Sequence, residues 1–197
     1  MRSNSKTRSI ALCGLSIALL TVGAFVTVPF GPVPFTLQTM MLLLIVLLLR
    51  PSEAVAAVGG YLALGAIGLP VFAGMRGGIA VLAGPTGGFL VGFLVAAAVV
   101  GLLRFLFERR SKPSRSAVVR LVQDIAASAA ASAVFYACGT LWFSFVTGNS
   151  IAVALAACVI PFLLPDAIKA IAAILTAQPV RAALGIRVTA ESSKNTQ

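Results

Sequence analysis

The sequence predicts an all-α integral membrane protein: six transmembrane helices with outer Pro/Gly-rich capping loops. Three observations carry that expectation. The 197 residues are 59% hydrophobic and 10% charged, with mean hydropathy +1.05. Soluble domains carry about 25% charged residues, so polar groups here are too few to cover a soluble surface. The apolar residues come in long runs, and the length allows about six spans of roughly 20 residues in one membrane domain covering 1–197. Finally, the basic residues sit at the ends of those runs. That placement removes the nucleic-acid reading that a net charge of +10 would otherwise invite.

The first span is expected at 9–28. Arg2, Lys6 and Arg8 precede it as in a signal peptide, but no small-x-small cleavage site follows, so it reads as a retained helix. Ala11, Gly14, Ser16 and Ala18 give it a small-residue face suited to close helix packing, within the chain or against a partner. Pro29–Pro34 holds three prolines in six residues and cannot continue a helix. The second span is expected at 35–49. Ser52 is the expected N-cap of the third, 53–69, with Glu53 in its first turn.

Gly68–Phe89 is the organising stretch. Seven glycines and two prolines make it unlike a membrane helix, yet it is too apolar for a solvated loop. It is expected to fold over a small-molecule site at the mouth of the bundle. The fourth and fifth spans follow at 87–107 and 121–146, joined by a basic connector from Arg104 to Arg120. The apolar stretch from Ile151 to Leu184, 34 residues, is too long for one upright span. Pro161 and Pro165 divide it into a short helix at 151–160 and a sixth span at 165–184, with Pro165 at the first helical position. A polar tail, 185–197, ends the chain.

With the N-terminus in the cytoplasm, 13 of the 15 Lys and Arg fall on the cytoplasmic side: Arg2, Lys6, Arg8, Arg50, the six from Arg104 to Arg120, Arg181, Arg187 and Lys194. This asymmetry predicts a multi-pass protein of the cell (plasma) membrane with both termini inside. Arg76 and Lys169 are the exceptions, and topology does not explain them.

Asp166-Ala-Ile-Lys169 is the strongest chemical feature. At i and i+3 the charges share a helix face, and the expected first-turn position favours the anion. A charge inside a membrane is costly and is read as functional, by ligand binding or as a structural tie between helices. Arg76 either meets an anionic ligand or snorkels to headgroups. Gln38 needs a hydrogen-bond partner, in a ligand or in another helix. Tyr136 and Trp142 either line a pocket or join the outer aromatic belt. Asp124, beside Arg120, reads as a helix-end residue on the cytoplasmic side. Cys13, Cys138 and Cys158 lie singly in apolar runs and read as small buried hydrophobes.

The chain has no His, which excludes a His-based metal site or general base. It also has no GxxxxGK[ST] loop, so ATP-driven work falls to another chain. No catalytic set, metal cluster or cofactor motif is present, and an enzyme is not expected. The implied ligand is small and amphiphilic, anionic at one end and an N–H donor at the other.

Three segments carry a resemblance: Val28-Pro-Phe-Gly-Pro-Val-Pro-Phe-Thr-Leu-Gln38; Gly68-Leu-Pro-Val-Phe-Ala-Gly through Gly84-Pro-Thr-Gly-Gly88; and Pro161-Phe-Leu-Leu-Pro-Asp-Ala-Ile-Lys169. Together, in this order, they resemble the biotin-specific substrate-binding (S) component of energy-coupling factor (ECF) transporters. The resemblance implies high-affinity biotin capture at the outer face. It also implies assembly with a transmembrane coupling subunit and two ATPases that power release. By that resemblance Asp166 and Lys169 match the family's polar site residues in the last helix; with Arg76, Gln38, Phe35, Thr36, Gly78, Thr86 and Tyr136 they are the expected substrate-binding residues. Lys169 is assigned to the carboxylate and Asp166 to the ureido N–H groups, with the reverse geometry left open, and the loops at Pro29–Pro34 and Gly74–Gly88 form the lid. The nearest match to the family's Ala-x-x-x-Ala docking face is Gly14-x-x-x-Ala18, with Leu15 where a strict repeat from Ala11 needs Ala; Ala11, Gly14, Leu15 and Ala18 are the expected docking residues. The rival expectations are an S component for another small vitamin and a non-transport membrane bundle protein.

Overall fold

The computed structural model describes residues 3–110 and 116–183. Arg2, Lys112, Arg115 and the expected polar tail with Arg187 and Lys194 lie outside the described residues. Eight helices and one two-residue hairpin follow in order: α1 (Ser3–Phe25), β1 (Thr27–Val28), β2 (Phe35–Thr36), α2 (Gln38–Leu48), α3 (Pro51–Ala66), α4 (Ile79–Ala83), α5 (Gly87–Arg110), α6 (Ala117–Thr147), α7 (Ile151–Cys158) and α8 (Ile160–Ala183). Among the described residues, α1, α5, α6 and α8 contain apolar segments of 20, 20, 31 and 24 residues, long enough to cross a membrane. They turn large apolar side chains outward, such as Val22, Leu102, Ile125 and Leu175. Outside a membrane that surface would be an extensive aggregation hazard.

α2 is different. Leu42 to Leu47 are all buried in succession, so the helix is apolar on every side and forms the core. It packs on α1, α5, α6 and α8, while α3 bridges α1 and α5. At 1.5 Å per residue its 11 residues span only about 17 Å, and α3's 16 residues about 24 Å.

Several expected boundaries move, each for a local reason. The first helix stops at Phe25 and the second starts at Gln38, because Thr27 pairs with Thr36 and Val28 with Phe35 across the Pro29–Pro34 turn. α3 starts at Pro51, not after Ser52. Pro51 takes the first position, where a missing N–H costs nothing, and Glu53 accepts from the Arg50 N–H at 3.2 Å. α8 begins at Ile160, with Pro165 inside it. Pro161 falls in the first turn, where N–H groups have no helical partner, so it interrupts nothing. The α7–α8 break comes instead at Val159. Asp166 therefore lies in the second turn of α8, and the expected first-turn dipole contribution does not apply.

The end of the bundle at the α5–α6 connector holds a charge cluster around Asp124, which is buried eight residues into α6 and is not the helix-end residue expected. Arg181 of α8 grips it bidentately at 2.7 and 2.8 Å, and Arg104 of α5 lies 3.6 Å away. Both arginines also donate to the Leu47 carbonyl, at 2.8 and 3.2 Å, supplying partners at the C-terminal end of α2. The cluster thus ties four helices.

Candidate functional site

The end of the bundle opposite the Asp124 cluster opens into a cavity, with about 650 Å³ of empty space when the open mouth is included. The β1–β2 turn supplies Val33 and Pro34, and α2 and its lead-in supply Thr36, Gln38 and Thr39. The Gly/Pro segment gives Phe72, Ala73 and Arg76, and the start of α5 gives Thr86, Phe89 and Phe93. Helices α6 to α8 close it with Phe135, Tyr136, Cys158, Phe162, Asp166 and Lys169. The walls are aromatic and the polar groups are concentrated on one side.

That polar side is built around the Asp166–Lys169 pair. Both side chains are buried, and Lys169 Nζ lies 2.7 Å from Asp166 Oδ1. The ammonium also donates to the Thr36 carbonyl at 2.6 Å and to Thr39 Oγ1 at 3.2 Å, and the Phe35 ring lies 3.8 Å beneath it. All three of its N–H groups therefore have acceptors. Asp166 is equally engaged: Thr39 donates to Oδ1 at 3.0 Å and Tyr136 to Oδ2 at 2.5 Å. Burial of both charges is compatible with stability because all three ammonium donors are matched and each carboxylate oxygen accepts at least one hydrogen bond.

A second chain of bonds leads to the outer loop. Gln38 Nε2 donates to the Tyr61 hydroxyl at 2.5 Å, which donates to the Val71 carbonyl at 2.9 Å. Since Tyr61 gives its proton to Val71, it must accept from the Gln38 amide nitrogen, which leaves the Gln38 carbonyl with the Thr36 hydroxyl as its neighbour at 3.5 Å. Phe72 packs edge-on to Tyr61 and lies against Gly65, where an added Cβ would sit 2.0 Å from its ring. The loop is seated on α3 through that glycine.

Most of the expected site residues converge here. Asp166, Lys169, Arg76, Gln38, Thr36, Thr86 and Tyr136 line the cavity, and Phe35 lies under the ammonium. Gly78 does not line it. Its positive φ of 95° starts α4, and its N–H is held by the Gly65 carbonyl at 2.7 Å. Tyr136 faces inward, whereas Trp142 donates to the Gly84 carbonyl at 3.0 Å, bracing the turn before α5. Sequence reasoning missed Thr39 and the aromatic walls. Phe162, Asp166 and Lys169 recur at helical spacing on α8, as do Phe89 and Phe93 on α5, and that periodicity is the signal that could have found them.

On α1, Ser16 turns inward, while Ala11, Gly14, Leu15 and Ala18 are all exposed. A Cβ at Gly14 would meet nothing within 4 Å. Packing within the chain leaves this face free.

Comparison with known proteins gives one consistent result. A family described as the BioY family matches residues 1–186. The "Biotin transporter BioY" of Thermotoga maritima is 38% identical over 170 residues, covering 86% of this chain and 94% of that one. The "Probable biotin transporter BioY" of Pyrococcus horikoshii is 36% identical over 173 residues, 88% and 96% of the two chains. The crystal structure of the S-component for biotin from an ECF-type ABC transporter superposes with a TM-score of 0.78 at 27% identity, covering 92% of this chain and 95% of that one.

Proposed function

The chain belongs to the BioY family, and from that premise we propose that it is the biotin-capturing S component of an ATP-driven vitamin uptake transporter, and not an enzyme. It is a membrane protein. The observation that carries the function is the cavity: aromatic walls with one dense polar cluster, Asp166, Lys169, Thr39 and Tyr136, at its side. Biotin has the matching division, with an apolar thioether ring, a ureido group that both donates and accepts hydrogen bonds, and a carboxylate.

The finer reading places the ligand against Asp166, Lys169, Gln38, Thr36 and Tyr136, with Phe35 supporting the ammonium and with Arg76 and Thr86 on the lid side. Residues 1–197 form one membrane domain whose six crossings are α1, α2, α3, α5, α6 and α8; α2 and α3 are short because loops complete their crossing. Both termini are cytoplasmic, at the plasma membrane. The exposed face of Ala11, Gly14, Leu15 and Ala18 docks the transmembrane coupling subunit, and two ATPases acting through it topple this component to release biotin inward.

Calorimetric titration of the purified protein in nanodiscs tests the function. Saturable binding of biotin, undisturbed by excess riboflavin, thiamine or niacin, is expected. Competition by one of those vitamins would reassign the ligand, and absence of any saturable binding would refute transport of this class.

A further inference from the structure

Resting on the biotin reading, we propose that Arg76, not Lys169, receives the carboxylate. Biotin then sits with its ureido ring against the Asp166–Lys169 side and its valerate tail running to the mouth. This reverses the assignment of Lys169 made from sequence.

Lys169 has no free donor. Its three N–H groups are committed to Thr36, Thr39 and Asp166, so a carboxylate there must displace one of them. It would also lie beside the Asp166 carboxylate, which is 2.7 Å from the same nitrogen and would repel it. The pair is internally neutral. The charged groups lining the cavity are Asp166, Lys169 and Arg76, so one positive charge is unmatched, and it belongs to Arg76.

Arg76 is built for the role. Its backbone pairs with Phe72 in both directions, at 2.9 and 3.3 Å. Gly74 at φ 70° and Met75 at φ 56° turn the chain to allow it. Arg76 Nε donates to the Ala73 carbonyl at 3.2 Å, which fixes the side chain at its base. Its two Nη groups have no protein acceptor among the described residues, and they form the planar fork that suits a carboxylate. At the other end, Gln38 offers its carbonyl to a ureido N–H, with only the Thr36 hydroxyl at 3.5 Å in competition.

The test is a cycle of two ligands against three proteins, read by titration calorimetry in nanodiscs. Biotin and its neutral primary amide, biotinamide, are titrated into the wild type, Arg76→Gln and Lys169→Met. Wild type is expected to bind biotin roughly ten- to hundredfold tighter than biotinamide, the range for a hydrogen bond to a charged group. Arg76→Gln should weaken biotin by about that factor and leave biotinamide within about twofold. Lys169→Met should weaken both ligands alike. Arg76→Gln retaining wild-type affinity for biotin, or losing both ligands equally, overturns the proposal. So does loss of the biotin–biotinamide difference in Lys169→Met alone. A wild type that binds neither ligand overturns the biotin reading itself, a result distinct from failure of the cycle. Arg76 is exposed, so its replacement leaves the core intact; Arg76→Lys, which keeps the charge without the fork, should recover part of the loss.

Discussion

Replacing Lys169 with Met asks whether the Asp166–Lys169 pair is a binding device or only a tie between helices. Both side chains are buried, and breaking a buried pair by removing one partner costs about 3–5 kcal/mol. The structure argues for the lower end, about 3 kcal/mol, because Tyr136 and Thr39 would still donate to the stranded carboxylate. At about 2–4 °C per kcal/mol for a chain of this size, melting should fall by roughly 6–12 °C in detergent. The double variant Asp166→Asn/Lys169→Met removes both charges together and should recover most of that loss. Biotin binding should behave differently: both variants are expected to lose at least about a hundredfold in affinity, about 2.7 kcal/mol. Thermal unfolding followed by tryptophan fluorescence and calorimetric titration provide the two readouts. A Lys169→Met protein that melts with the wild type would refute the burial argument. A double variant that regains wild-type affinity would reduce the pair to a structural tie.

Three further outcomes are expected. Asp124→Asn strands the Arg181 guanidinium at the inner end and should cost about 3 kcal/mol, while biotin affinity stays within about twofold; a calorimetric loss of binding would place the inner cluster in the site. Gly65→Ala puts a Cβ 2.0 Å from the Phe72 ring, which should push that wall into the cavity, with an overpacking cost of about 1–3 kcal/mol and measurably weaker biotin binding. Ala18→Trp places bulk on the exposed face of α1 and should leave biotin binding unchanged but abolish co-purification with the coupling subunit; an intact complex would remove that face from docking.

The membrane character and the identity of the polar pair were legible because both are written locally. Apolar runs of span length need no tertiary information, and a charged pair inside such a run stands out against its cost. Helix limits were less legible wherever a proline could be read two ways. Pro165 resembles a helix start, but Pro161 absorbs the first-turn position and the helix runs through. Likewise, nothing local at Phe35 and Thr36 announces a hairpin, because their partners lie across the Pro29–Pro34 turn. Thr39 and Asp124 were missed for a related reason: a hydroxyl in an apolar helix and an acid next to Arg120 acquire their meaning only from α8, which is more than fifty residues away in sequence.

These distant contacts share one organising fact, which is the position of α2. Its lead-in and first turn meet α8 at the cavity end, where the Thr36 carbonyl and Thr39 hold Lys169 and Asp166. Its far end meets α8 again, where Arg181 takes the Leu47 carbonyl and is itself fixed by Asp124. The two helices are therefore clasped at both ends by charged hydrogen bonds, with the apolar length of α2 buried between. Separating them would strand charges at two places at once. The loop from Gly68 to Gly78, by contrast, is held to α3 by the backbone N–H groups of Gly68, Leu69 and Gly78, by the Tyr61 hydroxyl, and by the Phe72 ring packed on Tyr61 and Gly65. None of these contacts involves a charged group. The floor of the site is thus fixed by charged hydrogen bonds, and the Gly/Pro segment by neutral ones and by the buried Phe72 ring. A chain this apolar can keep a polar pocket because its charges are held by the core and by one another.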